Sequence, residues 1–216
     1  MQKTKIEWVR NPDGTQGYTW NPIKGYCPND CPYCYAHRMY NRFKYWNKTI
    51  RLDKKGLEAP AKLKKPSRIF VGSMIDMYHP DINREWIHRL FSITKNLHHT
   101  FITLTKYPYE MIRYNFPHNW WQGITVTGDE WWDCFQPEFY YPNMTSFISF
   151  EPLLHPVKES HIKDGLDWII MGGLTPKPIH KKEWIDDIVE RADNLGIPVF
   201  IKDNAHYPIK RQEFPK

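Results

Sequence analysis

Cys27-Pro-Asn-Asp-Cys31-Pro-Tyr-Cys34-Tyr-Ala-His37 is the stretch of this chain whose residue types and spacing could do chemistry. Three of the four cysteines in 216 residues fall between positions 27 and 34. Thiols packed that tightly, in a chain without secretory features, point to a metal site rather than a disulfide framework. Two donor sets fit the spacing. Three thiolates around a cubane iron–sulfur cluster leave one iron without a protein ligand, so a coordination position stays open for a reactant. Alternatively, His37 completes a closed zinc knuckle of the form Cys-x3-Cys-x2-Cys-x2-His.

The elements that must position this loop follow from periodicity. Gly17-Tyr-Thr-Trp-Asn-Pro-Ile reads as a strand entering the loop, after the turn signal Asn11-Pro-Asp-Gly. Residues 36–46 read as a helix leaving it, with Met39, Tyr40, Phe43 and Trp46 on one face. Residues 51–68 are rich in Lys and broken by Gly56, Pro60 and Pro66, which predicts a solvated, linker-like basic loop, with contact to a phosphate backbone as the alternative role. Beyond it, apolar runs begin near Ile69, Thr100, Trp121, Ser146, Leu166 and Ile197. Helical patterns at 83–97 and 182–195 separate some of them; Trp86, Ile87, Leu90, Phe91 and Ile93 are expected inward in the first, and Trp184, Ile185, Ile188, Val189, Ala192 and Leu195 in the second.

Near-continuous apolar strands alternating with helices predict an α/β fold with parallel strands. About seven strands counted from Tyr18 make a partial or small (β/α) barrel the best fit to the length. The expected organisation is a single domain over 1–216, with a short N-terminal strand region at 1–18 and the basic loop at 51–68. In such folds the C-terminal strand ends form the active face. Here they are polar: Ser73 and Asp76, Thr105 and Lys106, Thr127, Glu151, Gly172 and Gly173, Lys202 and Asp203.

The formal charge of +6 favours an anionic partner, and the 16% aromatic content offers either stacking platforms or a core of large side chains. Trp120, Trp121, Trp131 and Trp132 are candidates for stacking bases, with core packing as the plainer role. Residues 1–8 contain no apolar signal region and no run reaches the length of a membrane span, so a cytoplasmic protein with no membrane partner is expected. Cys134, in Trp131-Trp-Asp-Cys-Phe, stands apart from the loop, either as a buried small side chain or as a hydrogen-atom donor near a substrate.

The Cys-x3-Cys-x2-Cys spacing with Tyr33 before the third cysteine resembles the signature of the radical S-adenosylmethionine (SAM) enzymes. Together with Thr19-Trp-Asn-Pro, Ile69-Phe-Val-Gly-Ser-Met-Ile-Asp, Leu104-Thr-Lys, Gly123-Ile-Thr-Val, Ser149-Phe-Glu-Pro, Asp167-Trp-Ile-Ile-Met-Gly-Gly and Phe200-Ile-Lys, it resembles the phage Gp37/Gp68 family. The resemblance implies a radical-SAM-like fold in which Cys27, Cys31 and Cys34 hold a [4Fe-4S] cluster and SAM chelates the unligated iron. An external one-electron reductant would drive reductive cleavage of SAM, and the resulting 5′-deoxyadenosyl radical would abstract hydrogen from a substrate.

On this reading Tyr33 lies against the adenine. Gly72-Ser73-Met74 sits where related enzymes carry a Gly-Gly-Glu-like motif for the SAM amino group; this chain departs from that motif, so Ser73, backbone carbonyls or Asp76 would accept those hydrogen bonds. Thr105, Thr127 and Glu151 could bind ribose or substrate hydroxyls, and Lys106 or Lys202 a carboxylate or phosphate. Glu151, Lys202 and Cys134 are the candidate catalytic residues. Leu174 departs from the Gp37/Gp68 pattern, in which a glutamate is expected after the paired glycines. A nucleic-acid base or nucleoside is the expected substrate, with a peptide or small metabolite as the alternative; the rival class is a non-catalytic, zinc-containing nucleic-acid-binding module.

Overall fold

The computed structural model describes residues 1–128 and 144–215. The chain forms two compact units, Met1–Trp120 and Trp121–Lys216.

In the first unit β2 (Tyr18–Trp20), β5 (Arg68–Val71) and β6 (Thr100–Thr105) lie side by side and parallel, and β1 (Gln2–Lys3) pairs antiparallel with β2. The register sets Thr19 opposite Phe70 and Phe70 opposite Ile102. Ile69, Phe70, Val71, Phe101 and Ile102 are all buried, as expected of parallel strands covered on both faces.

Helix α2 (Arg84–Thr94) starts at Asn83, whose side chain accepts the Glu85 N–H at 2.9 Å. It buries Ile87, Leu90, Phe91 and Thr94, the i, i+3, i+4, i+7 stripe of one helical face. The sequence pattern also places Trp86 and Ile93 inward, and the structure corrects this. Trp86 is half-buried and Ile93 is 39% exposed, because both lie on the flank of the stripe. Trp120 fills the space beneath this helix: its ring stacks on Phe101 at 5.2 Å and its indole N–H donates to Thr94 Oγ1 at 3.0 Å. It is therefore a core residue and not an exposed stacking platform.

Helix α1 (Tyr35–Arg42) buries Ala36, His37 and Tyr40. It ends sooner than its apolar pattern suggests, because Phe43 and Trp46 stack on each other at 4.9 Å in the turn that follows. The basic stretch is not a loose linker. β3 (Ile23–Lys24) pairs antiparallel with β4 (Arg51–Leu52), and two 3-10 turns follow at Lys54–Gly56 and Pro60–Lys62. The Trp20 indole donates to the Gly56 carbonyl at 2.9 Å, and His99 Nε2 lies 3.0 Å from the Pro60 carbonyl. Those bonds, with Leu57 and Pro60 buried, fix a lysine-rich segment to the core. A short helix α3 (Pro108–Met111) follows β6.

In the second unit β7 (Trp120–Val126, beginning at the boundary), β8 (Ser146–Phe150), β9 (Trp168–Met171) and β10 (Val199–Ile201) are parallel neighbours in that order. Helix α4 (Lys182–Asn194) buries Ile185, Ile188 and Ala192. Leu195, expected inward, is 41% exposed because the helix ends there. Gly196 follows at φ +66°, and the Ile197 N–H returns to the Ala192 carbonyl at 2.8 Å. The coarse reading of an α/β protein with mostly parallel strands therefore holds. Among the described residues no helix is long and apolar enough to cross a membrane.

The orientation of α2 yields a paired prediction. Leu90→Ala should destabilise the protein by about 2–5 kcal/mol through loss of contacts and an unfilled cavity. Ile93→Ala should change it by less than about 0.5 kcal/mol. Urea unfolding of both variants checks this, and equal losses would show that the helix face has been assigned wrongly.

Candidate functional site

The cysteine loop leaves β3 through Gly25, whose backbone adopts φ +130°. A Cβ there would come within 2.6 Å of the Ile50 Cα, so the chain can pass only without a side chain. The Gly25 N–H donates to the Tyr40 hydroxyl of α1 at 3.2 Å, and the Tyr26 N–H to the Lys48 carbonyl at 2.9 Å. Cys27 is buried, while Cys31 and Cys34 are half-buried. The Cys34 N–H closes a turn onto the Cys31 carbonyl at 3.0 Å, and Cys34 then caps α1.

Asp76 organises the surroundings. Its Oδ1 accepts the Thr105 hydroxyl at 2.7 Å and the Tyr78 N–H at 3.1 Å. Its Oδ2 accepts the Lys106 N–H at 2.9 Å and the Asn29 side-chain amide at 3.2 Å. Four donors fill the acceptor positions of one carboxylate. Burial pushes the carboxyl above its ordinary range, and the bonds from the Lys106 N–H, the Thr105 hydroxyl and the Tyr78 N–H, with the Lys106 charge, oppose that by favouring the ionised form. The Asp76 N–H meanwhile points at Cys27 Sγ, 3.4 Å away. One residue thus ties the turn after β5 and the end of β6 to the spacer between Cys27 and Cys31.

Asn29 is held from its other side as well, because the Tyr107 hydroxyl donates to its Oδ1 at 2.7 Å. Gly72 turns the chain at the end of β5 with φ +81°, where a Cβ would press within 2.8 Å of Met77 Cγ. Ser73 pairs with the Asn21 side chain, which donates to its hydroxyl at 3.0 Å and also accepts the Met74 N–H at 3.1 Å. The Ser73 carbonyl accepts the Tyr35 hydroxyl. The Lys106 ammonium lies over the half-buried Tyr33 ring at 5.6 Å. Sequence reading assigned no role to Asn21, Asn29, Tyr35 or Tyr107, although Asn21 lies in the Thr19-Trp-Asn-Pro motif and Asn29 and Tyr35 lie in the cysteine stretch.

Burial pushes the Cys27 thiol up to about 11, with the Asp76 and Asn29 backbone N–H groups working against it. Burial raises Cys31 too, opposed by the Lys106 cation and a hydrogen bond from Tyr33. Thiolates here therefore need a compensating positive charge, which a bound iron–sulfur cluster or zinc ion supplies; N–H groups aimed at sulfur suit either. His37 is engaged in packing: its Nε2 is 2.9 Å from the Cys27 carbonyl and its ring stacks on Tyr26 at 4.1 Å. Among the described residues no group of three His, Cys, Asp or Glu side chains is arranged to hold a metal ion.

The second unit has its own strand-end cluster. Lys202, after β10, forms an ion pair with Glu151, after β8, and both side chains are mostly buried. Gly172, after the intervening β9, makes room for it: a Cβ there would sit 3.1 Å from atoms of both Glu151 and Lys202. Asn204 donates to the Gly173 carbonyl at 2.8 Å and fixes the adjacent turn. The Thr127 carbonyl accepts the Leu154 N–H at 2.9 Å and the His155 N–H at 3.1 Å. Cys134, Trp131 and Trp132 lie outside the described residues.

Fold and site together define an α/β protein that carries a three-cysteine loop braced on the C-terminal ends of parallel strands. Residues 3–214 match the family described as protein of unknown function DUF5131, and the chain belongs to that family. No curated protein and no solved structure matches it.

Two outcomes follow. In the metal-free protein, burial favours the neutral Cys27 thiol, so its reactive thiolate appears only as the pH approaches about 11. At pH 8, iodoacetamide should modify Cys27 roughly a hundredfold more slowly than in the urea-unfolded chain, as read by peptide mass spectrometry. Equal rates would contradict the burial. Asp76→Ala strands several buried donors, and should lower stability by about 2–4 kcal/mol while accelerating Cys27 alkylation.

Proposed function

We propose that this protein is a radical SAM enzyme with a [4Fe-4S] cluster on Cys27, Cys31 and Cys34, and that it acts on a nucleic-acid base or nucleoside. The observation that carries the reading is the bracing of the cysteine loop by Asp76, Asn29 and Tyr107 onto the ends of β5 and β6. A site for a reactive cofactor must hold its ligands in fixed geometry on rigid elements, and this loop is held by side chains from both strand ends. The finer architecture that goes with the reading is the partial (β/α) barrel that the resemblance implies.

The donor types suit the group, although among the described residues the three thiols are not gathered into a metal-holding set. Three soft thiol donors with N–H groups directed at sulfur suit an iron–sulfur cluster, and three ligands leave one iron open for SAM. When bound, the cluster with SAM supplies reductive sulfonium cleavage and hydrogen-atom abstraction. The chain's part is to bind and orient. Tyr33 offers a half-buried ring for the adenine, and Lys106 above it offers a cation for the SAM carboxylate.

The Ser73 carbonyl, with one lone pair on the Tyr35 hydroxyl, retains a second for the SAM amino group. The Asp76 carboxylate, with its acceptor positions filled, acts by fixing Asn29 and the Cys27 backing and not by touching SAM. Glu151 and Lys202 form an ion pair suited to substrate hydroxyl or phosphate groups. Against the zinc knuckle stands His37, with one ring nitrogen on the Cys27 carbonyl and its face covered by Tyr26.

Anaerobic reconstitution with iron and sulfide should give a brown protein that releases 5′-deoxyadenosine when reduced in the presence of SAM. Replacing any one of Cys27, Cys31 or Cys34 with Ser should abolish both colour and product. A colourless protein carrying stoichiometric zinc would overturn the proposal.

A further inference from the structure

Charge in this chain is concentrated. Between residues 42 and 65 there are nine Lys and Arg against two carboxylates, Asp53 and Glu58, whereas the whole chain carries +6. The remaining residues are therefore close to neutral, and the anion-attracting field comes from this segment. Asp53 is already neutralised by Lys24 at 2.7 Å. Eight of the nine cations are exposed, and Arg51 is half-buried with its guanidinium donating to the Asn47 and Thr49 carbonyls.

The segment is also shaped. β4 and the turn after it form one wall of an open groove of about 740 Å³, and α2 forms the other. Arg51 and Lys54 stand on the first wall, and Arg89 and His88 on the second. Between them lie Leu52, Trp86 and Ile93, the last two being the α2 residues that the helix turns away from its core face. A concavity with cations on both walls, an indole in its lining and a single carboxylate, Glu85, matches a phosphate chain whose bases are free to stack. A lone aromatic with apolar neighbours could suit a protein segment, but nine cations in 24 residues favour a polyphosphate over a peptide. Tyr45, 82% exposed among Arg42, Lys44 and Lys48, extends the same basic and aromatic character along the segment.

The groove is joined to the cysteine loop through the backbone. Arg51 pairs with Lys24, and Lys24 is followed by Gly25, Tyr26 and Cys27.

We propose that the groove between residues 51–54 and α2, with the basic segment 42–65, binds single-stranded nucleic acid, seating a base against Trp86 and phosphates along Arg51, Lys54 and Arg89. This deepens the nucleic-acid reading of the substrate and rests on that reading only for its purpose; the binding itself stands on the charge and shape of this surface.

The test is fluorescence anisotropy with labelled 20-nucleotide DNA and RNA single strands, from about 50 to 200 mM salt, with no SAM or reductant present. Binding should weaken with salt, and the two arms show whether DNA, RNA or both are taken. Lys54→Glu with Arg89→Glu should weaken binding at least tenfold and flatten the salt slope by about 1.4, or about 0.7 per lost phosphate contact. Trp86→Ala should weaken it about five- to a hundredfold with the slope unchanged, and Trp86→Phe should restore most of the loss.

No binding at the lowest salt, or binding indifferent to the double charge reversal, would overturn the proposal. So would a duplex of the same sequence binding as tightly, or polyglutamate competing equally per charge, which would mark a surface that reads charge or acidic protein. A brown, SAM-cleaving protein that ignores the oligonucleotides sinks this inference alone. A colourless protein that binds them sinks the cluster reading alone.

Discussion

The carboxylate of Asp76 is the constraint on which the first unit depends. Four donors converge on its two oxygens from three separate places: the turn after β5, the end of β6 and the cysteine spacer. A carboxylate pushed up by burial is costly to keep ionised, and full satisfaction by donors offsets that cost. The result is mutual dependence. The loop is ordered because the strand ends offer Asp76, and Asp76 is tolerated because the loop supplies Asn29. Its own N–H, directed at Cys27 Sγ, passes this order to the sulfur itself.

That arrangement requires strand ends that do not shift, and the aromatic content supplies them. Trp20, Phe101 and Trp120 are fully buried in the first unit, and the two indole N–H groups bond to Gly56 and Thr94. Large rings with satisfied N–H groups fill volume without leaving buried donors unpaired. Trp20 has a second effect. By bonding Gly56 it clamps a lysine-rich segment that electrostatic repulsion would otherwise push into solvent, so positive charge is held in one place on the surface. The second unit shows the same economy at Gly172, where the absence of a side chain on the middle strand lets Glu151 and Lys202 meet across it.

Fold and candidate site were legible in the sequence to different depths. The parallel strands could be read because runs such as Ile69-Phe-Val and Phe147-Ile-Ser-Phe are buried on both faces, which leaves a continuous apolar signature. The cysteine triad could be read because its members are close in sequence. The facing of α2 was read only in part: Ile87, Leu90 and Phe91 are buried as the period requires, but Trp86 and Ile93 sit where an apolar residue can flank the buried stripe. Periodicity gives the direction of a hydrophobic face and not its width, which depends on what packs against it.

By itself the sequence determined which elements exist, roughly where each begins, and which three residues could share a cluster, since all of these are set by neighbours a few positions apart. Only the tertiary structure decided that Asp76 is a brace, that Asn29 and Tyr107 hold the loop, that Glu151 pairs with Lys202, and that a stretch resembling a linker is pinned beside α2. Each of those contacts joins residues 29 to 78 positions apart, apart from the link to Tyr78. A polar residue's partner at such a separation is fixed by how strands stack and turns close, and no local pattern in the chain encodes it.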